Sequence, residues 1–553
     1  MADGKRIILY GLLFFILLSL WQAWHHEHAQ VETRSAIPSP VTTEEVTPKQ
    51  GLTTAPNVAP TAVGSQTEKL LTVTPASRII TVKTDNFNIK IDTLGGTIIG
   101  ASLLNYPVSL DKKDTPVQLL FERDGERYVA ESGLNNQSPI RFRASDTHFT
   151  MADDQNTLKV ELLGRDKHGV FVTKTFTFKR GDYAVGVSYQ VRNEKEKIWQ
   201  GQIYSQLTRS KPESHSSFFG ISSYTGAAVS APGDKTYKKV SFSDMEEKPL
   251  REETKGGWVA MQQHYFLSAW LPKNDVKHKL YSHESNGLYT IGMLTAPFSV
   301  EPGQMVTINK TLYLGPEVAS TLRDLAPGLD LTIDYGWLWF ISGALFWLMQ
   351  HIYFIVGNWG WSIVLVTLMI KIVFHPLSAM SYRSMAAMKK MQPKIEQLKK
   401  RYENDKAKFS EEMMKLYQKE KINPLGGCLP MLAQIPFFIA LYWVLLESVE
   451  LRQAPFMFWI QDLSIADPYY VLPILMGISM VAQQWLAPAA ADEMQAKMMM
   501  YFMPAIFTVL FINFPAGLVL YWLVNNLVSI AQQWWITQRF EASPPKKSMK
   551  RAR

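Results

Sequence analysis

Apolar residues are arranged along this chain in two different ways. From about Ser77 to Leu314 they alternate with polar ones. Phe176 and Phe178 do so, then Tyr183, Val185, Val187, Tyr189 and Val191 after the turn Arg180-Gly181-Asp182, and later Val306, Ile308, Leu312 and Leu314. A period of two turns one face of an extended segment inward, and turn residues recur roughly every ten positions. Residues 77–330 are therefore predicted to form an antiparallel β-sandwich, closed by a short helix over Pro316 to Leu325. Beyond residue 330 the apolar residues run in blocks instead. The stretches 358–377, 428–447, 469–487, 500–515 and 517–537 are each predicted to be a transmembrane helix, the last two joined by a tight turn at Asn513-Phe514-Pro515-Ala516-Gly517. Ile7 to Trp24 is a sixth block, with Lys5 and Arg6 before it and bulky residues where a cleavable leader needs small ones, so a retained anchor over residues 1–28 is predicted. Residues 29–76, rich in Pro, Thr, Ser and Gln, have no apolar period and read as a disordered tether.

Two further stretches have patterns of their own. Residues 331–352 are crowded with Trp and Phe and interrupted by Ser342 and Gly343, which suits an amphipathic helix lying at a bilayer surface. In residues 378–427, Met385, Met388, Met391, Ile395, Leu398 and Tyr402 recur at spacings of three and four, as do Phe409, Met413 and Leu416 or Tyr417. That is a hairpin of two amphipathic helices, with a restart expected at Pro393 and a second start at Ser410. The methionine stripe reads either as hairpin core or as an adaptable surface for apolar clients.

Charge orients these blocks. The hairpin segment holds twelve Lys/Arg against six Asp/Glu, and the tail 538–553 six against one, whereas Glu447 to Asp467 holds one Arg and four acids. With basic segments on the cytoplasmic side, both termini lie inside and the sandwich outside. The net charge of +8 thus reflects topology rather than a nucleic-acid partner. A single cysteine, Cys428, excludes an intramolecular disulfide. There is no Gly-rich phosphate loop, no G-x-S-x-G and no paired Cys/His spacing, so an enzyme is not expected, nor a metal or cofactor. His25, His26 and His28 read as interfacial residues and His264 as packing.

The exception among the apolar blocks is Lys371. An ionisable residue inside a span costs about 2.5–3.5 kcal/mol and is a functional-site hypothesis by default. No Asp or Glu lies inside another span to pair with it. Thr367 is one turn deeper on the same face, and Gln434 sits at a similar depth in the next span. Asn525 or Asn526, Ser529, and Gln532 or Gln533 form a polar stripe on the last. Two readings are open: a water-holding cavity reaching in from the cytoplasm, or a lysine that snorkels to the headgroups. Prolines 430, 436, 473 and 504 fall inside spans and predict kinked helices.

Several motifs together resemble one family. They are Asn423-Pro-Leu-Gly-Gly-Cys428-Leu-Pro430, Gln434-Ile-Pro436, Ser448-Val-Glu-Leu-Arg-Gln-Ala-Pro455-Phe456, Asp467-Pro-Tyr-Tyr-Val-Leu-Pro473 and Phe514-Pro-Ala-Gly-Leu-Val-Leu-Tyr521. The chain resembles the YidC-type membrane protein insertases of Gram-negative bacteria, strongly over residues 330 to 540. The resemblance implies a β-super-sandwich periplasmic domain, an interfacial helix, a cytoplasmic hairpin and a five-helix core with a hydrated groove closed to the periplasm. The family's groove arginine is here Lys371, which keeps the charge but loses the planar fork. Its groove aromatic falls at Tyr521 or Trp522. The implied partners are nascent membrane-protein clients, a Sec translocon, lipid and, through hairpin and basic tail, the ribosome; no specific nucleic acid is implied. Lys371, Thr367, Gln434, Tyr521, Trp522, Asn525 and Ser529 are the expected groove residues, and Met385, Met388, Met391 and Met413 the expected hairpin contacts. The competing reading is an anion transporter or channel using Lys371, against which the spans show no internal repeat.

Overall fold

The structure, a computed structural model, describes residues 78–542 apart from 124, 136–137, 213–222, 233–234, 273–275, 403–404, 421–428 and 488–492. The predicted anchor, the tether, most of the basic tail and the motif around Cys428 lie outside the described residues.

Residues 79–316 build a sandwich of a ten-stranded and an eight-stranded sheet. The alternation read from the sequence is the mechanism. In Ala184–Arg192 the side chains of Val185, Val187, Tyr189 and Val191 are buried, and those between them are not. This strand pairs antiparallel with Met305–Pro316, Val185 opposite Leu312 and Val191 opposite Val306. The inner faces close one core containing Phe176, Phe178, Ile203, Ile291 and Leu314. Lys174 is fully buried in it, its ammonium donating to the carbonyls of Gly95 (3.2 Å), Gly96 (2.7 Å) and Ser132 (2.8 Å). A short helix, α1 (Phe242–Glu247), opens with a capping box between Ser241 and Asp244. The closing helix is α2 (Ala319–Leu325).

The rest is helical. The elements are α3 (Trp339–Val356), α4 (Trp359–Val373), α5 (His375–Arg401), α6 (Lys406–Lys419), α7 (Leu429–Glu447), α8 (Val471–Leu486), α9 (Glu493–Lys497), a π turn (Met498–Phe502), α10 (Met503–Phe511) and α11 (Ala516–Ala542). Several expectations are corrected here. Ser342 and Gly343 do not interrupt α3, because the Ser342 hydroxyl donates to the Ala440 carbonyl at 3.0 Å and is buried. Apart from His351, the face that α3 leaves exposed is mostly apolar, with Trp339, Phe340, Trp347, Phe354 and Ile355, and by length and composition the helix is apolar enough to cross a bilayer. The span written as 358–377 ends at Phe374, where the chain bends by 68° into α5. Pro393 lies inside α5 rather than restarting it; Pro393 and Lys389, whose carbonyl loses its helical donor, are both exposed to water. The second hairpin helix starts at Lys406, not Ser410, since Asp405 accepts from the Lys408 N–H at 3.0 Å. Pro473 sits in the first turn of α8, where no helical donor is lost, whereas Pro436 lies inside α7 and Pro504 directly follows the π turn that leads into α10.

Sandwich and bundle meet at the outer loop between α7 and α8. Arg452 donates to the carbonyls of Pro107 (2.6 Å) and Val108 (3.1 Å), and Gln453 to Pro107 (2.9 Å). His264, expected to pack within a strand, occupies a left-handed turn at φ 49° and places Nε2 3.1 Å from the Leu446 carbonyl.

Candidate functional site

Helix α4 is fixed at its sandwich end. The Asn358 side chain caps it, accepting from the Trp361 N–H at 3.0 Å and donating to the carbonyls of Pro455 and Phe456. Position 360 must be glycine, because a Cβ there would lie 2.1 Å from the Phe456 ring. From this anchored end the helix buries Ile363, Val366 and Ile370 against Ala440, Leu441 and Val444 of α7, Leu472 and Met476 of α8, and Leu518, Val519 and Leu523 of α11. That apolar cluster fills the half of the bundle nearer the sandwich.

The hairpin half is different. Lys371 is only 3 % exposed, and its Nζ donates to Ser529 Oγ at 2.7 Å and Gln434 Oε1 at 3.2 Å. Ser529 in turn donates to the Asn525 carbonyl at 2.7 Å, one turn back along α11. One turn toward the sandwich, Asn526 donates to Ser479 Oγ on α8 at 3.0 Å, and Ser479 donates to its own helix at the Met476 carbonyl. Gln533 is buried one turn beyond Ser529. Three helices, α4, α7 and α11, thus converge on one ammonium, and α8 joins the same polar column. Among the described residues no carboxylate pairs with Lys371; its two acceptors are neutral. An ammonium has three donors, so one is left to other company.

The 68° bend makes this burial possible. It brings α5 back over α7 and α11, with Phe374 edge-on to Phe437 at 5.0 Å and the Tyr382 hydroxyl beside Ser529. Lys371, in the last turn of α4, is therefore buried beneath a bent helix.

The expected groove residues do not all meet. Lys371, Gln434 and Ser529 are hydrogen-bonded together. Thr367 is buried, but its hydroxyl donates to the Ile363 carbonyl of its own helix. Asn525 contributes its carbonyl, whereas Asn526 is the buried side chain on the stripe. Tyr521 and Trp522 lie two turns toward the sandwich, where Phe438 stacks on Tyr521 at 6.0 Å and meets Trp522 edge-on at 4.6 Å, with Phe507 and Phe511 behind. They form an aromatic plug that is the edge of the apolar cluster nearest the polar column. In the hairpin, Met391 is buried, Met385, Met388 and Met413 are half-buried, and Met380 and Met414 are exposed. Ser479 and Tyr382 are not among the expected residues, and Asn526 is expected only as an alternative to Asn525. Ser479 and Asn526 sat in plain view as polar residues in apolar helices, but only the fold pairs them.

Two family models match the chain, the YidC periplasmic domain over residues 79–348 and the 60Kd inner membrane protein over residues 351–543. Curated relatives called membrane protein insertase YidC match along nearly the whole length. One from Legionella pneumophila (strain Paris) is 49% identical over 561 residues, covering 99% of each chain. One from Coxiella burnetii (strain Dugway 5J108-111) is 47% identical over 571 residues, covering 100% of this chain and 99% of the relative. One from Nitrosococcus oceani is 44% identical over 548 residues, covering 98% and 99%. Among solved structures, an active YidC insertase with its first transmembrane domain resolved gives a TM-score of 0.40 at 18% identity, covering 83% of this chain and 93% of that one. A galactose mutarotase related enzyme from Lactobacillus acidophilus gives 0.30 at 8% identity over 43% of this chain. At those scores the structural likenesses say nothing about the site.

Proposed function

The chain belongs to the YidC family of membrane protein insertases, and on that footing we propose that Lys371 is the centre of a groove that receives the polar outer segment of a client. The observation that carries this is a buried ammonium with only neutral partners. A lysine in a salt bridge would be a structural fixture. Here one donor and the full charge remain available for water or an arriving carboxylate. The apolar cluster and aromatic plug on one side, against the polar column on the other, favour a groove sealed toward the sandwich and open toward the hairpin. The polar segment then crosses roughly half of the ~30 Å hydrocarbon thickness, while the client's apolar helix leaves sideways to lipid.

The proposed topology follows the charges: hairpin, both termini and the end of α11 in the cytoplasm, sandwich and outer loop in the periplasm. Helix α3 lies along the periplasmic surface. Its 18 residues are about 27 Å long; its C-terminal end meets the sandwich end of the bundle, Tyr353 stacked on Trp359 at 4.4 Å, while Ser342 near its start reaches Ala440 in the middle of α7. The exposed Met380 and Met414 and the lysine-rich face of the hairpin suit first contact with apolar clients and with the ribosome; a Sec translocon is the expected partner for larger substrates.

Reconstitution in liposomes with a short single-spanning client bearing an acidic outer tail tests the reading. Protein-dependent insertion is expected, retained by Lys371→Arg and reduced by Lys371→Ala. Solute flux without insertion would favour an anion channel, and an alanine variant of full activity would remove the lysine from the mechanism.

A further inference from the structure

The sandwich meets the bundle across a junction crowded with acids. Glu317 follows the last sandwich strand and is only 2 % exposed; its N–H donates to the Tyr265 carbonyl, and its carboxyl oxygen Oε1 has no hydrogen-bond partner. Glu447 ends α7, is 4 % exposed, and accepts from Ser223 Oγ at 3.0 Å. Glu450, in the turn after α7, also has a buried Oε1 without a partner. Asp334, leading into α3, pairs with Lys239 at 2.5 Å. Glu447 and Asp334 both act electrostatically on Glu317, and Glu450, Glu317 and Glu447 all act on Tyr335.

The opposing groups are few. From the sandwich come Lys239, 38 % exposed, and the neutral hydroxyls of Tyr237 and Tyr313. From the outer loop comes Arg452, already committed to the carbonyls of Pro107 and Val108. His264 faces the Leu446 carbonyl rather than an acid. Tyr335 OH and Ser448 Oγ are themselves buried without partners. Both carboxyls have lost water, and Glu317 has also gained like-charged neighbours in Glu447 and Asp334; both effects favour the protonated form. Burial pushes the Glu450 carboxyl up to about 7, and burial followed by repulsion from Glu447 holds Glu317 well above the usual carboxylate range.

We propose that this junction is a proton-operated latch: with Glu317 and Glu450 protonated the sandwich stays docked on the bundle, and with both ionised the crowded carboxylates loosen it. The sign follows from linkage. The docked state binds protons that the separated state, with ordinary carboxyls, releases, so docking is favoured at low pH and weakens as pH rises from about 4.5 through about 7. On the topology proposed above, the latch faces the periplasm and reads its pH.

Hydrogen exchange of the full chain in lipid nanodiscs, corrected for intrinsic rates, tests this between pH 5.5 and 8.5. Junction segments around 262–266 and 446–453 are expected to lose protection tenfold or more with rising pH, while the core strand Ala184–Arg192 keeps its own. Glu317→Gln with Glu450→Gln should flatten the dependence. If that pair fails to fold, Lys239→Gln serves instead: removing the cation opposite Asp334 should move the loosening to lower pH. Protection independent of pH in the wild-type chain, or an unchanged profile in the variants, overturns the latch. Restoration of protection at pH 8.5 by millimolar magnesium or calcium chloride would make the junction a cation site and overturn it equally.

Discussion

Replacing Ser529 by alanine removes the nearer of the two acceptors on the Lys371 ammonium, at 2.7 Å, and leaves only Gln434 at 3.2 Å. A hydrogen bond to a charged group is worth about 1.5–3 kcal/mol. The Asn525 carbonyl, which loses the Ser529 hydroxyl, keeps its place in the helix, so little is recovered elsewhere. The ammonium should therefore leave its buried position about ten- to a hundredfold more often. Acetylation by a brief pulse of acetic anhydride, followed by mass spectrometry, reads this directly when Lys371 is normalised to the exposed Lys399. The relative rate should rise about tenfold or more in Ser529→Ala and stay near wild type in Ser529→Thr. A rate unchanged in the alanine variant would mean that the Ser529 bond contributes nothing and that α4 packing alone holds the lysine, which would refute the reasoning.

Three further outcomes are expected. Arg452→Ala removes two charge-assisted bonds to the sandwich and the guanidinium over Phe266 at 5.6 Å, so protease cleavage in the outer loop should accelerate, the half-exposed setting limiting the effect to about 1–2 kcal/mol. Lys174→Met leaves three carbonyls of the sandwich core without a donor and should destabilise that domain by about 3 kcal/mol or more, read as a lower midpoint of chemical unfolding followed by core-strand exchange. Burial, then the neighbouring Lys310, lowers His278 to about 4, so its neutral form stabilises the sandwich above the ordinary value of 6.5 and that contribution is lost as pH falls through 4. His278→Asn, which can still donate to the Val276 carbonyl, should shift acid unfolding of the sandwich to lower pH, and an unshifted midpoint would count against the assignment.

What was legible in the sequence followed from local period and local chemistry. Alternation fixed which side chains of Ala184–Arg192 point inward, because a pleated strand has no other way to bury Val185, Val187 and Val191. Lys371, Gln434 and Ser529 stood out because polar groups inside apolar helices need one another, and the fold brings these three together. What depended on distant packing was not legible. Pro376, in the first turn of α5, marks a break just after Phe374, but the 68° angle itself depends on how α5 packs and is not written locally. Asn525 and Asn526 are interchangeable by composition, and only the position of Ser479 on α8 selects Asn526. Glu317 and Glu450 are 133 residues apart, so the acidic junction appears only once the sandwich is seated on the outer loop. Tyr521 or Trp522 was expected as a groove aromatic by family resemblance alone, and helical rise sets Tyr521 about 12 Å from Ser529.

The division of the bundle into a dry half and a polar half has an electrical consequence. A membrane voltage drops mainly across material that conducts ions poorly. If the Lys371 half admits water, the whole potential falls across the apolar cluster and the aromatic plug, and the field there is about twice that of an unmodified 30 Å bilayer. With the cytoplasm negative, each acidic residue of a client driven outward releases about 2.3 kcal/mol per 100 mV, now over roughly half the distance. The force on an acidic tail is greatest where it leaves the lysine, so voltage and groove act on the same step, and basic outer tails would be held back at the same place.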